Sequence, residues 1–389
     1  MASLHGFVRR LALTIIGSTL ASTGYAVQPP DVVVSDANGN TAMGTDALLS
    51  LGAGYYNTAA GFGAFRSGYG GVENTAFGFN ALYSNSGHDN TAIGAQALYS
   101  NSEGRENTAC GDSALHFNTN GFDNTASGYN ALAFNTIGNF NTASGVAALL
   151  YNTTGNYNTA VGVNALFQNT TGTANTAIGS NALNLTGAGS YNTAAGNSVL
   201  TNNTGSGNTG VGNAALYSNA AGNRNTALGY IALASNTTGQ YNIALGNGAG
   251  YYVTTGSNNI DIGNSATKTD HAMIRIGSQG IQVATYVAGI SGSHVTGAAV
   301  YVTSTGQLGV LASSERYKTA VAPMGSTTGR LKELRPVTFH LKTDPKAGRQ
   351  YGLIAEEVAK VYPELVIRNE AGQAEGVRYE ELTPMLLNE

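Results

Sequence analysis

NTASGVAALLYNTTGNY, residues 141–157, is one whole copy of a unit that recurs through the middle of the chain. Its opening motif, N-T-A-x-G or a close variant, puts an Asn at 40, 57, 74, 90, 107, 124, 141, 158, 175, 192, 208, 225, 242 and 259, in steps of 17 residues apart from two of 16. A period this short and strict means that each copy is one rung, too small to bury a core alone and stable only on its neighbours. Gly and Asn recur at set places inside every unit, which argues against helix, and they suit turns, where Gly takes positive φ and Asn bonds its own backbone. No Pro occurs between Pro30 and Pro323, as expected where backbone N–H groups are needed for a ladder. The prediction is a mainly β protein: a parallel β-solenoid, or β-roll, of 17-residue rungs over residues 40–263. Each rung is expected to alternate two strand-length pieces with two turns.

Stacking turns each motif position into a column of side chains ~4.8 Å apart. The Asn column runs through every rung and is expected to bond along the fibre and cap its own turns. After the Thr comes Ala in twelve of the fourteen rungs, and the next residue is mostly apolar, as at Met43, Phe77, Ile93, Cys110, Val161, Ile178, Leu228, Leu245 and Ile262. Neighbours on a strand face opposite ways, so apolar residues at both positions predict burial of both faces. The later A-L pair, as in Ala97-Leu98, Ala148-Leu149 and Ala232-Leu233, reads as the same pattern. One face fills the rung and the other calls for another chain, since a long apolar stripe is not left bare on a soluble monomer. A homotrimeric fibre is the natural closure.

Charge divides the chain unevenly. Residues 40–263 hold eleven charged side chains and no Lys, whereas residues 313–389 hold eleven basic and eleven acidic ones. A net charge of −4 without a basic patch excludes a nucleic-acid partner. Residues 1–26 read as an export signal: Arg9 and Arg10 precede an apolar stretch too short to span a bilayer, and Gly24-Tyr25-Ala26 precedes a cut before Val27. The organisation expected is a signal peptide at 1–26, a linker at 27–39, the solenoid at 40–263, a β-rich stalk at 264–312 and a small α+β domain at 313–389. Later membrane-spanning segments are not expected, and the protein is expected outside the cell or on its surface.

Cys110 is the only cysteine, so no disulfide forms within one chain, and the six His residues lack metal-ligand spacing. No metal site and no cofactor are predicted. Glu73, Asp89, Glu106 and Asp123 each precede the Asn of a rung; solvated charge with Arg105 as a counterion is preferred over a calcium ladder. An unbroken Thr column from Thr41 to Thr226 would be a hydroxyl array if it faced water, as on ice-binding solenoids, or simply suits a strand. Phe122, Phe140, Tyr157, Tyr191 and Tyr241 sit at the turn edge, where they stack on sugars or pack between rungs.

The repeats resemble the β-roll heads of trimeric autotransporter adhesins, with NTAIG at residues 90–94 and 175–179 as the nearest matches. The last 77 residues resemble the endosialidase-type intramolecular chaperone domain of phage tail spikes and tail fibres, an auto-processing serine peptidase. SSERYK at 313–318, GLIAEEV at 352–358 with the following YPELV, and GVRYEEL at 376–382 carry the resemblance. It implies trimerisation, then self-cleavage by a Ser and a Lys five residues later. The implied catalytic dyad is Ser313 and Lys318, the scissile bond Ala312–Ser313, and Arg316 a local orienting partner. It further implies a long C-terminal helix that coils with its partners, starting where the chain stops at Asn388-Glu389. The physical rationale is that near-identical rungs pair in many registers, so a C-terminal clamp lets the fibre zip from one end. A secreted, self-processing, adhesin-like fibre that contacts host surfaces or glycans is thus the leading expectation. A phage tail-fibre receptor-binding protein and an ice- or polysaccharide-binding solenoid without autoproteolysis are the alternatives.

Overall fold

The computed structural model describes residues 34–288, 299–303, 305–342, 348–369 and 371–389; the expected export signal lies outside them. Two compact units divide between Ala288 and Gly289. The first is the predicted parallel β-solenoid of about 14 turns. One sheet of sixteen short strands runs in sequence order from Val34–Ser35 to Ile274–Ile276. The first pairing is antiparallel, and the rest stack in parallel with like on like: Thr142 on Thr159, Ala143 on Ala160, Ser144 on Val161. The sheet thus begins before the first motif Asn and takes in Ile274–Ile276 beyond the last.

Each rung contains one strand, not the two expected. In residues 141–157 it is Thr142–Ser144, with Ala143 buried and its two neighbours exposed. The A-L segment is a turn: Ala147 and Leu149 have φ of 55° and 53°, and Leu residues at this position repeat that value along the solenoid. Neighbouring side chains point apart only on extended backbone, and left-handed residues break that rule. Ala148 and Leu149 are therefore both buried in the same core, which overturns the reading of the A-L pair as a two-faced strand. Rung-to-rung hydrogen bonds continue through the turn, with Ala147 N–H donating to Tyr129 O (2.9 Å) and Leu149 N–H to Ala165 O (2.9 Å). A Leu with positive φ is strained by itself; burial of its side chain and the bond to the next rung offset that cost.

The core is a stack of Ala, Ala and Leu sealed by asparagine. The backbone N–H and Nδ2 of Asn141 both donate to Asn124 Oδ1, at 3.0 and 3.1 Å, and Nδ2 also donates to Gly155 O at 2.9 Å. A second ladder, absent from the sequence reading, runs through the Asn of the N-T-T-G turn. Asn152 Nδ2 donates to Asn135 Oδ1 at 2.7 Å and to Gly155 O at 3.0 Å. Recurrence of this Asn at one place in the unit was the available clue. The ladder is interrupted at Thr186, whose hydroxyl donates to Leu183 O, and stops where Val253 replaces Asn; Asn236 Oδ1 is buried without a partner.

The last two repeats each break the core rule once. Asp261 stands at the inward Ala position, fully buried, and neither of its carboxylate oxygens has a partner. Gly250 stands where other rungs carry the core Leu, and a Cβ there would come within 3.3 Å of Asp261 Oδ2. Arg275 is in register with Asp261 but spends its guanidinium on Asp270, at 2.5 and 2.8 Å. Burial first, and the Asp270 charge second, raise the Asp261 pKa to about 6. The folded state therefore holds this proton more tightly than the unfolded chain. No penalty exists where both states are protonated; stability falls as pH rises from about 4 to about 6, then stays lower by roughly 3 kcal/mol. Asp261→Ala is expected to raise the urea midpoint at pH 8 and to change it much less at pH 4. An equal shift at both pH values would locate the effect in packing.

The second unit, Gly289–Glu389, contains the expected small α+β part. A hairpin, Tyr301–Val302 with Leu308–Gly309, comes first. Strands Val337–Phe339 and Gln350–Gly352 pair antiparallel, as do Val366–Arg368 and Ala374–Val377. Helices Ala355–Val361 and Tyr379–Asn388 pack with them around Val358, Tyr362, Leu365, Val377 and Met385. Pro363 opens a 3-10 turn directly after the first helix, where proline's fixed φ and missing N–H prevent its continuation. The Tyr362 hydroxyl donates to Thr327 O or Thr328 O, each 3.1 Å away. Asn388 Nδ2 donates to Gly325 O at 2.9 Å, so the C-terminal helix is tied back to the 3-10 turn Gly325–Thr328.

Candidate autoprocessing site

Ser313 and Lys318 flank a single 3-10 turn, Glu315–Tyr317. The turn forms because Tyr317 N–H reaches Ser314 O (3.0 Å) and Lys318 N–H reaches Glu315 O (2.9 Å). Ser314 before it and Lys318 after it are extended, so the motif places the hydroxyl and the amine on either side of one tight bend. The Arg316 guanidinium lies 4.7 Å from the Tyr317 ring centre, a cation–π contact within the turn.

Residues 311–320 are all exposed, and no hydrogen bond joins Ser313 to Lys318 among the described residues. A Ser–Lys dyad needs the two groups within about 3 Å and a lysine removed from water. A single chain supplies the order and the bend but not the desolvation.

Two of the four carboxylates in the acidic column have basic neighbours. His88 Nδ1 lies 2.8 Å from Asp89 Oδ2, and this hydrogen bond holds the Asp89 pKa below its ordinary value. Arg105 Nε is 4.0 Å from Glu106 and its guanidinium 4.9 Å from the Phe122 ring. Ligand atoms of His88, Asp89 and Glu106 come within 4.8 Å of one another, but all three residues are exposed. Nothing further at this cluster points to an ion.

Of the turn-edge aromatics, Phe122, Phe140, Tyr157 and Tyr241 contact side chains of neighbouring rungs, while Tyr191 stands largely exposed. Phe140 and Tyr157 stack at 4.9 Å and 3°, and Phe122 meets Phe140 edge-on. Arg224 covers Tyr241 at 5.3 Å. A longer ladder elsewhere on the rung joins Phe117, Phe134 and Tyr151 at 5.1 Å spacing. Rings stacked along the fibre turn their edges outward, so their faces are already occupied by neighbouring rungs. Among the described residues no helix is long and apolar enough to cross a membrane.

Comparison with known proteins bears on this end of the chain. No curated protein and no solved structure matches the sequence. Residues 313–367 match the peptidase family model described as the chaperone of endosialidase, and the match begins at Ser313. A β-solenoid fibre carrying such a segment at its C-terminal end fits a trimeric tail-fibre-like protein.

Proposed function

We propose that this chain is a secreted, trimeric, adhesin-like surface fibre whose C-terminal domain sets the register of three chains and is released by cleavage of the Ala312–Ser313 bond. The observation that carries the reading is the family match beginning at Ser313, directly after a repeat array whose rungs are nearly interchangeable. Ser313 Oγ attacks the carbonyl carbon of Ala312 while Lys318, in its neutral form, takes the hydroxyl proton. Protonated Lys318 returns that proton to the Ser313 amine as the C–N bond breaks, which leaves Ala312 as an ester on Ser313 Oγ, and water then cleaves this ester so that Ser313 is the N-terminus of the released domain. Since one chain leaves Lys318 in water, the missing desolvation comes from neighbouring copies, which makes cutting a consequence of assembly. The mature trimer then persists through slow unfolding.

Denaturing gels and intact-mass measurement of the full chain test this reading. Wild type is expected to resolve into two pieces joined originally at Ala312–Ser313, with Ser313→Ala uncut and Lys318→Ala slowed by at least about a thousandfold. Both variants should still form trimers. An uncut wild type removes the peptidase role, and cutting that survives Ser313→Ala moves the nucleophile elsewhere.

A further inference from the structure

We infer that the outward face of the solenoid strands is the surface on which copies of this chain pack, parallel and in register, along the fibre axis. The inference rests on the trimeric reading above and adds which surface makes the trimer. Each strand turns its Ala inward, so the Thr and the residue two places on both face out. That second column carries Phe77, Ile93, Val161, Ile178 and Leu228, each between 40 % and 51 % exposed. Just past the motif Gly, Phe62, Phe79, Val146 and Val163 widen the strip, while Asp112 puts one exposed carboxylate and Asn197 and Asn213 put amides in the same column. From Met43 to Ile276 the outward strand positions contain no charged residue.

Strands stacked ~4.8 Å apart make this strip about 70 Å long, and its few residues of width span about 10 Å. The resulting area of about 700 Å² approaches the ~800 Å² that each partner commits to a standard stable interface. Monomers rarely leave an apolar patch of that size in water. The strip also repeats one profile at every rung, so its complement has to repeat at the same spacing. A second copy of this chain meets that demand along the whole length, and closure of three copies about one axis keeps all of them parallel. In parallel register the exposed Cys110, which lies in this column, meets Cys110 of the other copies.

Cys110 therefore serves as the probe. The full chain is treated with a short-armed trivalent maleimide and run on a denaturing gel, with oligomeric state measured separately by sedimentation. Wild type is expected to give a covalent trimer, Cys110→Ser none, and Cys110→Ser with Ser144→Cys, in the same column, a trimer again. Cys110→Ser with Thr154→Cys, in the N-T-T-G turn, should stay uncoupled. Ile93→Asp with Ile178→Asp should keep the β circular dichroism of the rungs while losing association at micromolar concentration. A sedimenting trimer that couples through Thr154→Cys but not through Cys110 overturns this face and leaves the trimeric reading standing. A wild-type monomer overturns both, and thermal hysteresis from that monomer would assign the face to ice.

Discussion

Asn141→Ala is expected to destabilise the solenoid by roughly 4 kcal/mol and to split its unfolding into two transitions. Asn141 Oδ1 accepts both the backbone N–H and the Nδ2 of Asn158, at 3.0 and 3.1 Å. Alanine removes that acceptor and strands the two donors inside a core where Asn158 is wholly buried. Each buried donor left unpaired costs about 1–3 kcal/mol. Gly155 O still receives Asn152 Nδ2, so the damage concentrates on the upper rung. Because rungs contact only their neighbours, a fault in the middle weakens the coupling between the two halves rather than all contacts equally. Urea titration followed by circular dichroism, with hydrogen exchange at the Asn158 amide, checks this. A loss below about 1 kcal/mol would mean that water enters and replaces the missing acceptor.

Gly145→Ala is expected to cost at least as much, by a different route. Gly145 has φ of 136°, a region closed to side chains, and an added Cβ would lie 2.6 Å from Gly162 O in the next rung. The obstacle is backbone, so no rotamer change relieves it. Separation of the two rungs would also stretch the Gly162 N–H bond to Ser144 O (2.8 Å). A loss of roughly 4 kcal/mol or more is expected, together with protease sensitivity near this rung. Gly145→Ala at wild-type stability would require a rung spacing here larger than that of a parallel ladder.

Much of the C-terminal unit was legible because its cues are local. The helix Ala355–Val361 ends just before Pro363, and the hairpin of Val366–Arg368 with Ala374–Val377 turns at Gly372, both features that nearby residues specify. Ser313 and Lys318 stand out in the sequence by their spacing and a family pattern, and in the structure they flank one turn. Activation of the pair was not legible, because desolvation of Lys318 depends on what covers it and no spacing within one chain encodes that.

The repeat alone determined the solenoid: a fixed step with Asn, Ala and Gly in set places admits stacking in parallel and little else. It also determined the asparagine ladder, since identical residues in register must meet. Which apolar columns are inside was decided only by the tertiary structure. The A-L pair reads as a strand in sequence, yet Leu149 with φ of 53° turns it into a bend whose two side chains share one core. Backbone handedness at such a residue is paid for by contacts with the rungs above and below, so it cannot be read from the residue itself. The same holds for Asp261, whose burial becomes tolerable only because Gly250 leaves room one rung away.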